Sequence, residues 1–169
     1  MRREIVKFPD PILQRVAKPV KEVDGEVREI LNDLVDTMYA EDGVGIAAPQ
    51  IGVGKRLAAI DITGSDGDTG AGLIKMVNPE IVSRDDEIKW EEGCLSVPEM
   101  RVKIKRSRKL TVRYLDENGT SKELMAEGLL AVAIQQEIDH LDGKLIIDYA
   151  SRLKQDMYIK KLKRAAKEQ

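Results

Sequence analysis

The clearest periodic stretch of the chain runs over residues 26–41, where Val27, Ile30, Leu31, Leu34, Val35 and Met38 recur at spacings of three and four. That spacing gathers them into one stripe opposite Glu29, Asp33 and Asp36, which predicts an amphipathic helix lying on a core. Asp24 or Gly25 stands where a cap is needed, and Gly43 lies just past the end. A second helix is predicted over 127–141. There Leu129, Leu130, Val132, Ala133 and Ile134 make a largely buried element, and Glu127 suits the positive end of its dipole. Strands are predicted over 56–62, 74–79, 86–91, 101–106 and 109–116; residues 101–105 alternate as RVKIK, the period of a half-buried strand. Glu117-Asn118-Gly119 is a turn signal that makes a hairpin of 109–116 and 120–126.

The remaining stretches lack a period. Residues 1–25 read as an irregular arm punctuated by Pro9, Pro11 and Pro19, and residues 43–54 and 64–72 are rich in glycine. Residues 150–169 predict a surface helix carrying Arg152, Lys154, Lys160, Lys161, Lys163, Arg164 and Lys167. The order of helix, strands, helix and basic helix indicates an α+β fold, with mixed or antiparallel strands packed around the second helix.

Composition narrows the classes. A length of 169 residues predicts one domain, 1–169, large enough for a well-buried core. The net charge of −2 argues against a dedicated DNA binder. Cys94 is the only cysteine, so no internal disulfide forms. The first twenty residues lack the apolar run of a signal peptide, and no stretch approaches the ~18 apolar residues of a membrane span. The expected location is the cytoplasm, without a membrane partner. No long apolar stripe is left over for a second copy, which predicts a monomer.

Three places hold reactive side chains in unusual company. In QQEIDH, residues 135–140, positions 136 and 140 are four apart, project from one helix face and could grip one ion, with Glu137 beside them as general base. This is the arrangement of H-E-x-x-H metallohydrolases, but position 136 is Gln136. In EEGCLSVP, Cys94 follows a glycine in a loop-like stretch, where a thiolate could complete a metal site. At the end of GVGIAAPQ, Gly43 and Gly45 let backbone pass close to a ligand, and the Gln50 amide can donate to an oxyanion.

Together GVGIAAPQ (43–50), EGCLS (92–96) and QQEIDHL (135–141) resemble, in order and separation, the three motifs of peptide deformylases. FPDPIL (8–13) and GKLIIDY (143–149) are similar to that family as well, so the resemblance covers nearly the whole chain. It implies removal of the formyl group from N-terminal formyl-methionine of nascent proteins. It further implies a divalent ion, ferrous iron or a substitute such as zinc, nickel or cobalt, held by Cys94 and His140. Glu137 would move the proton, and Gln50 with the Leu95 backbone N–H would stabilise the oxyanion. Substrate contacts would come from Gly43, Val44, Gly45, Trp90, Glu92, Gly93, Leu129, Val132 and Ala133, with Val44, Trp90, Leu129, Val132 and Ala133 around the methionine side chain and backbone near Gly45 and Gly93 pairing with the peptide. The basic C-terminal helix would contact the ribosome.

Gln136 departs from the family pattern, which has histidine there. His140 is the only histidine in the chain, so no other imidazole can replace it. A neutral amide is a poorer ligand for iron or zinc, so weakened metal binding is expected. Two further readings follow: a metal-free thiolate–imidazolium dyad of Cys94 and His140, and a module that captures formyl-methionine peptides without turning them over.

Overall fold

The computed structural model describes residues 1–168. Asp24 accepts a hydrogen bond from the Val27 N–H and opens helix α1, Gly25–Ala40, as the pattern predicts. Strands β1 (Gly45–Ala47) and β2 (Leu57–Ile60) are short. Two long strands follow, β3 (Ile74–Cys94) and β4 (Val97–Leu115), and then β5 (Ser121–Glu127). Helix α2 spans Leu129–Leu141 and helix α3 spans Arg152–Lys167, capped by Ser151. All five strands pair antiparallel in one sheet, in chain order. Position 169 of the predicted C-terminal helix lies outside the described residues.

Alternation along β2 explains why all four of its residues are buried. Leu57 and Ala59 join Val27, Leu31, Leu34 and Met38 of α1, whereas Ile60 joins Leu130, Ala133 and Ile134 of α2. The two helices therefore cover opposite faces of the sheet, and β2 runs between them. A third apolar cluster sits where Val97, Val102 and Ile104 of β4 meet Ile146, Ile147 and Tyr158. α2 is thus the central helix, packed against β1, β2 and the β3–β4 hairpin.

Two predicted boundaries change. The four strands expected over 74–116 are two, because β3 and β4 continue through 83–86 and 107–108 as one hairpin with register shifts. Those polar residues lie where the hairpin leaves the core, so their side chains face water without ending the strand. Glu127 ends β5 rather than beginning α2. Gly128, at φ 64, makes the corner between them, a conformation that favours glycine.

Candidate active site

The cleft between α2, β1 and the β3–β4 hairpin has a volume of about 1100 Å³. The glycine-rich stretch 43–54 supplies β1 and a 3-10 turn, Ala48–Ile51. β1 pairs with β2 along one side only, so its other edge faces the cleft. The turn buries Gln50 and fixes its amide: Oε1 accepts from the Ala47 N–H at 2.9 Å, while Nε2 donates to Ser96 Oγ at 3.2 Å and reaches Cys94 Sγ at 3.7 Å.

Cys94 ends β3 and Leu95 lies in the tight connection to β4. α2 presents Glu137 and His140 to the same point, and His140 Nε2 stands 3.3 Å from Cys94 Sγ. Three segments far apart in sequence therefore converge. Gly45 lies against the Glu137 carboxyl so closely that a Cβ there would fall 2.6 Å from Oε2. No bulkier residue fits without moving Glu137.

Electrostatics at this point are set by burial. The Glu137 carboxyl is pushed up to about 8, first by desolvation and then by the neighbouring Glu92 charge. Burial lowers the His140 imidazole to about 4 and raises the Cys94 thiol to about 12. Glu137 Oε1 and His140 Nδ1 are both buried without a hydrogen-bond partner, a costly arrangement that points to a missing ligand or solvent. A thiolate–imidazolium nucleophile needs both groups charged, and burial shifts each the other way, so burial works against the dyad even though the two atoms are in reach of each other.

The donors fit a divalent ion in part. Two protein ligands on one tetrahedral ion stand roughly 3.5 Å apart given ordinary metal–sulfur and metal–nitrogen lengths, close to the 3.3 Å between Cys94 Sγ and His140 Nε2. Gln136 adds no strong donor: its Nε2 donates to the Gly93 carbonyl at 2.9 Å. Among the described residues, no group of three His, Cys, Asp or Glu side chains is placed to hold a metal.

Each substrate-contact residue expected from the sequence lines this cleft: Gly43, Val44, Gly45, Trp90, Glu92, Gly93, Leu129, Val132 and Ala133. Two have other commitments. Glu92 is buried with both carboxylate oxygens engaged by Arg106, at 2.7 and 2.8 Å, so it supports the wall rather than offering a free contact. The Gly93 carbonyl is taken by Gln136.

The network under the wall was not foreseen. Arg106 also donates to Asp139 Oδ2 at 2.6 Å, lies over the Tyr149 ring, and shares Asp139 with the Tyr149 hydroxyl. It joins the strand before Cys94 to the helix residue before His140. The signal was present: Val102, Ile104 and Arg106 share one parity along β4, so Arg106 points inward with its two apolar neighbours.

Known proteins resemble this chain over nearly all of its length. The family model for polypeptide deformylase matches residues 2–156. Peptide deformylase of Bartonella tribocorum is 47% identical over 98% of this chain and 94% of its own length. That of Maricaulis maris is 46% identical over the same shares. The crystal structure of a peptide deformylase from Legionella pneumophila superposes with a TM-score of 0.89 at 46% identity, covering 99% of this chain and 96% of that one. The peptide deformylase of Ehrlichia chaffeensis, crystallised in complex with actinonin, gives 0.90 at 37% identity and 97% of each chain. With its motifs gathered in one cleft and residues 2–156 matched by the family model, this chain belongs to the polypeptide deformylase family.

Proposed function

We propose that this chain hydrolyses the formyl group from the N-terminal formyl-methionine of nascent proteins in the cytoplasm, acting as a single-domain monomer. The observation that carries the reading is the meeting of Cys94, Gln50, Glu137 and His140 in one cleft beside the open edge of β1. The peptide would lie along that edge as an added strand. Its methionine side chain would sit among Val44, Trp90, Leu129, Val132 and Ala133, with Gly43 giving the backbone room to approach.

Cys94 and His140 would hold a divalent ion, iron or zinc, nickel or cobalt in its place, with Gln136 contributing weakly if at all. Bound there, such an ion would acidify a water and so supply the nucleophile near neutral pH. Gln50 is already oriented by Ala47, so it can turn its donor from Cys94 to the oxyanion without reorganising, alongside the Leu95 N–H. Glu137 takes the water's proton and returns it to the departing amine. Its raised pKa suits the return of that proton to the amine.

Helix α3 adds a docking role. Arg152, Lys160, Lys163, Arg164 and Lys167 are exposed on it, and they suit the phosphates of ribosomal RNA, where the substrate emerges. Because Tyr158 of α3 is part of the core, the test keeps the helix: replacing the exposed Arg152, Lys160, Lys163, Arg164 and Lys167 by glutamine should abolish ribosome co-sedimentation while leaving peptide hydrolysis intact.

The deciding experiment measures bound metal and hydrolysis of formyl-Met-Ala-Ser on one preparation, beside Gln136→His. A gain of at least tenfold in rate and metal retention in the variant is expected. Equal activity would show that residue 136 is not needed as a ligand. Peptide binding without turnover in both, under every added divalent ion, would favour the capture module instead.

A further inference from the structure

The β3–β4 ladder pairs Glu92 with Val102 and resumes at Cys94 with Val97, breaking register at Gly93. A residue at such a break loses its partner across the ladder, and its polar groups must be satisfied otherwise. The Gln136 amide does this for the Gly93 carbonyl, reaching from α2 to β3 across 43 positions of sequence. Gly93 precedes Cys94 directly, and Gln136 lies one helical turn before His140. The bond therefore ties together the two segments whose ends meet as Cys94 and His140.

We propose that Gln136 is a positioning residue, a clip that holds the Cys94 strand against α2 in the metal-free protein. In sites where the ion itself bridges helix and strand, its loss frees both, because binding and local folding are one equilibrium. Here the amide makes that join from protein alone. The role of the ion rests on the deformylase reading; the clip is made by the protein's own groups.

The test uses full-length protein in excess chelator and two variants that keep the length of the side chain. Gln136→Met has no donor, and Gln136→Glu offers only acceptors when ionised. Cys94 is the sole cysteine, so iodoacetamide modifies one site, at a rate set by its exposure and its thiolate fraction together. Gln136→Met is expected to alkylate about tenfold faster than the parent, Gln136→Glu less so because its charge disfavours the thiolate, and both to lose amide-exchange protection over residues 93–96. Ile30→Val, on the core face of α1, should lower the melting temperature without raising the alkylation rate. That comparison separates local release from general loss of stability. Parental alkylation and exchange in both variants would overturn the proposal, as would acceleration no greater than in Ile30→Val. None of these readouts needs turnover, so absent hydrolysis in the loaded enzyme would sink the deformylase reading and leave the clip standing.

Discussion

Replacing Arg106 by methionine tests whether the buried charge network holds the site. The Arg106 side chain is 5% exposed and that of Glu92 is 2% exposed. The variant therefore strands the Glu92 carboxylate in the interior without its partner. Asp139 loses a 2.6 Å bond but keeps the Tyr149 hydroxyl at 2.7 Å. Breaking a buried pair from one side costs about 3–5 kcal/mol. A domain of this size loses roughly 2–4 °C for each kcal/mol, so the melting temperature should fall by roughly 6–20 °C. Urea denaturation in chelator gives the free energy without a contribution from metal binding. Adding Glu92→Leu to the variant removes the stranded charge and should recover most of the loss, because both partners are then apolar. Where the variant still folds, kcat/KM should drop by roughly a hundredfold, since Cys94 and His140 hang from the two segments Arg106 joins. A stability loss under ~1 kcal/mol would refute the argument, for it would mean that water or another cation reaches Glu92.

Metal-free stability should depend on pH with a sign set by two groups. His140 titrates near 4 when folded, below its ordinary 6.5, so unfolding takes up a proton between those values and stability rises with pH there. Glu137 titrates near 8, above its ordinary 4.5, so unfolding releases a proton and stability falls with pH across that range. The two slopes oppose each other up to about 6.5; from there to 8 Glu137 acts alone, and Glu137→Gln should flatten a decline of roughly 1–2 kcal/mol measured by urea titration. Gly45→Ala should fold, with unchanged circular dichroism, yet lose roughly a hundredfold in kcat/KM, because its Cβ would meet Glu137 Oε2 at 2.6 Å; parental kinetics would show that the carboxyl moves freely. Chelation should abolish hydrolysis, and a rate that ignores chelator would restore the Cys94–His140 dyad as the mechanism.

Motif residues were legible in the sequence because GVGIAAPQ, EGCLS and QQEIDHL resemble one family's motifs in order and spacing. Local rules alone gave less: Gln136 and His140 lie one turn apart on the patterned helix as expected, but Cys94, read as part of a loop, ends strand β3 instead. What joins them was harder to see. Arg106 lies in KIKRSRK, which reads as a solvated basic run until the parity of Val102 and Ile104 is carried two residues further. The continuity of β3 and β4 was hidden for a related reason. Residues 83–86 are polar like a turn, but a hairpin beyond the core has no buried face for alternation to mark. The Gln136–Gly93 bond depends on a register shift, which pairing across the hairpin decides and no single strand reveals.

These joins bracket the reactive pair from both sides. Glu92 and Gly93 precede Cys94 on the strand; Gln136 and Asp139 precede His140 on the helix. Arg106 links Glu92 to Asp139 through charge, and Gln136 reaches Gly93 through a neutral hydrogen bond. Two ties in parallel have a measurable consequence. Cutting either leaves the other, so each single variant opens the site only partly, whereas cutting both leaves the thiol–imidazole contact alone. Arg106→Met combined with Gln136→Met should therefore accelerate Cys94 alkylation in metal-free protein by more than the product of the two separate factors. Urea titration of the same variants corrects for global unfolding. A simple product would mean that the ties act on independent parts of the cleft, and that the 3.3 Å approach of Cys94 to His140 is held by the packing of α2 rather than by its polar links.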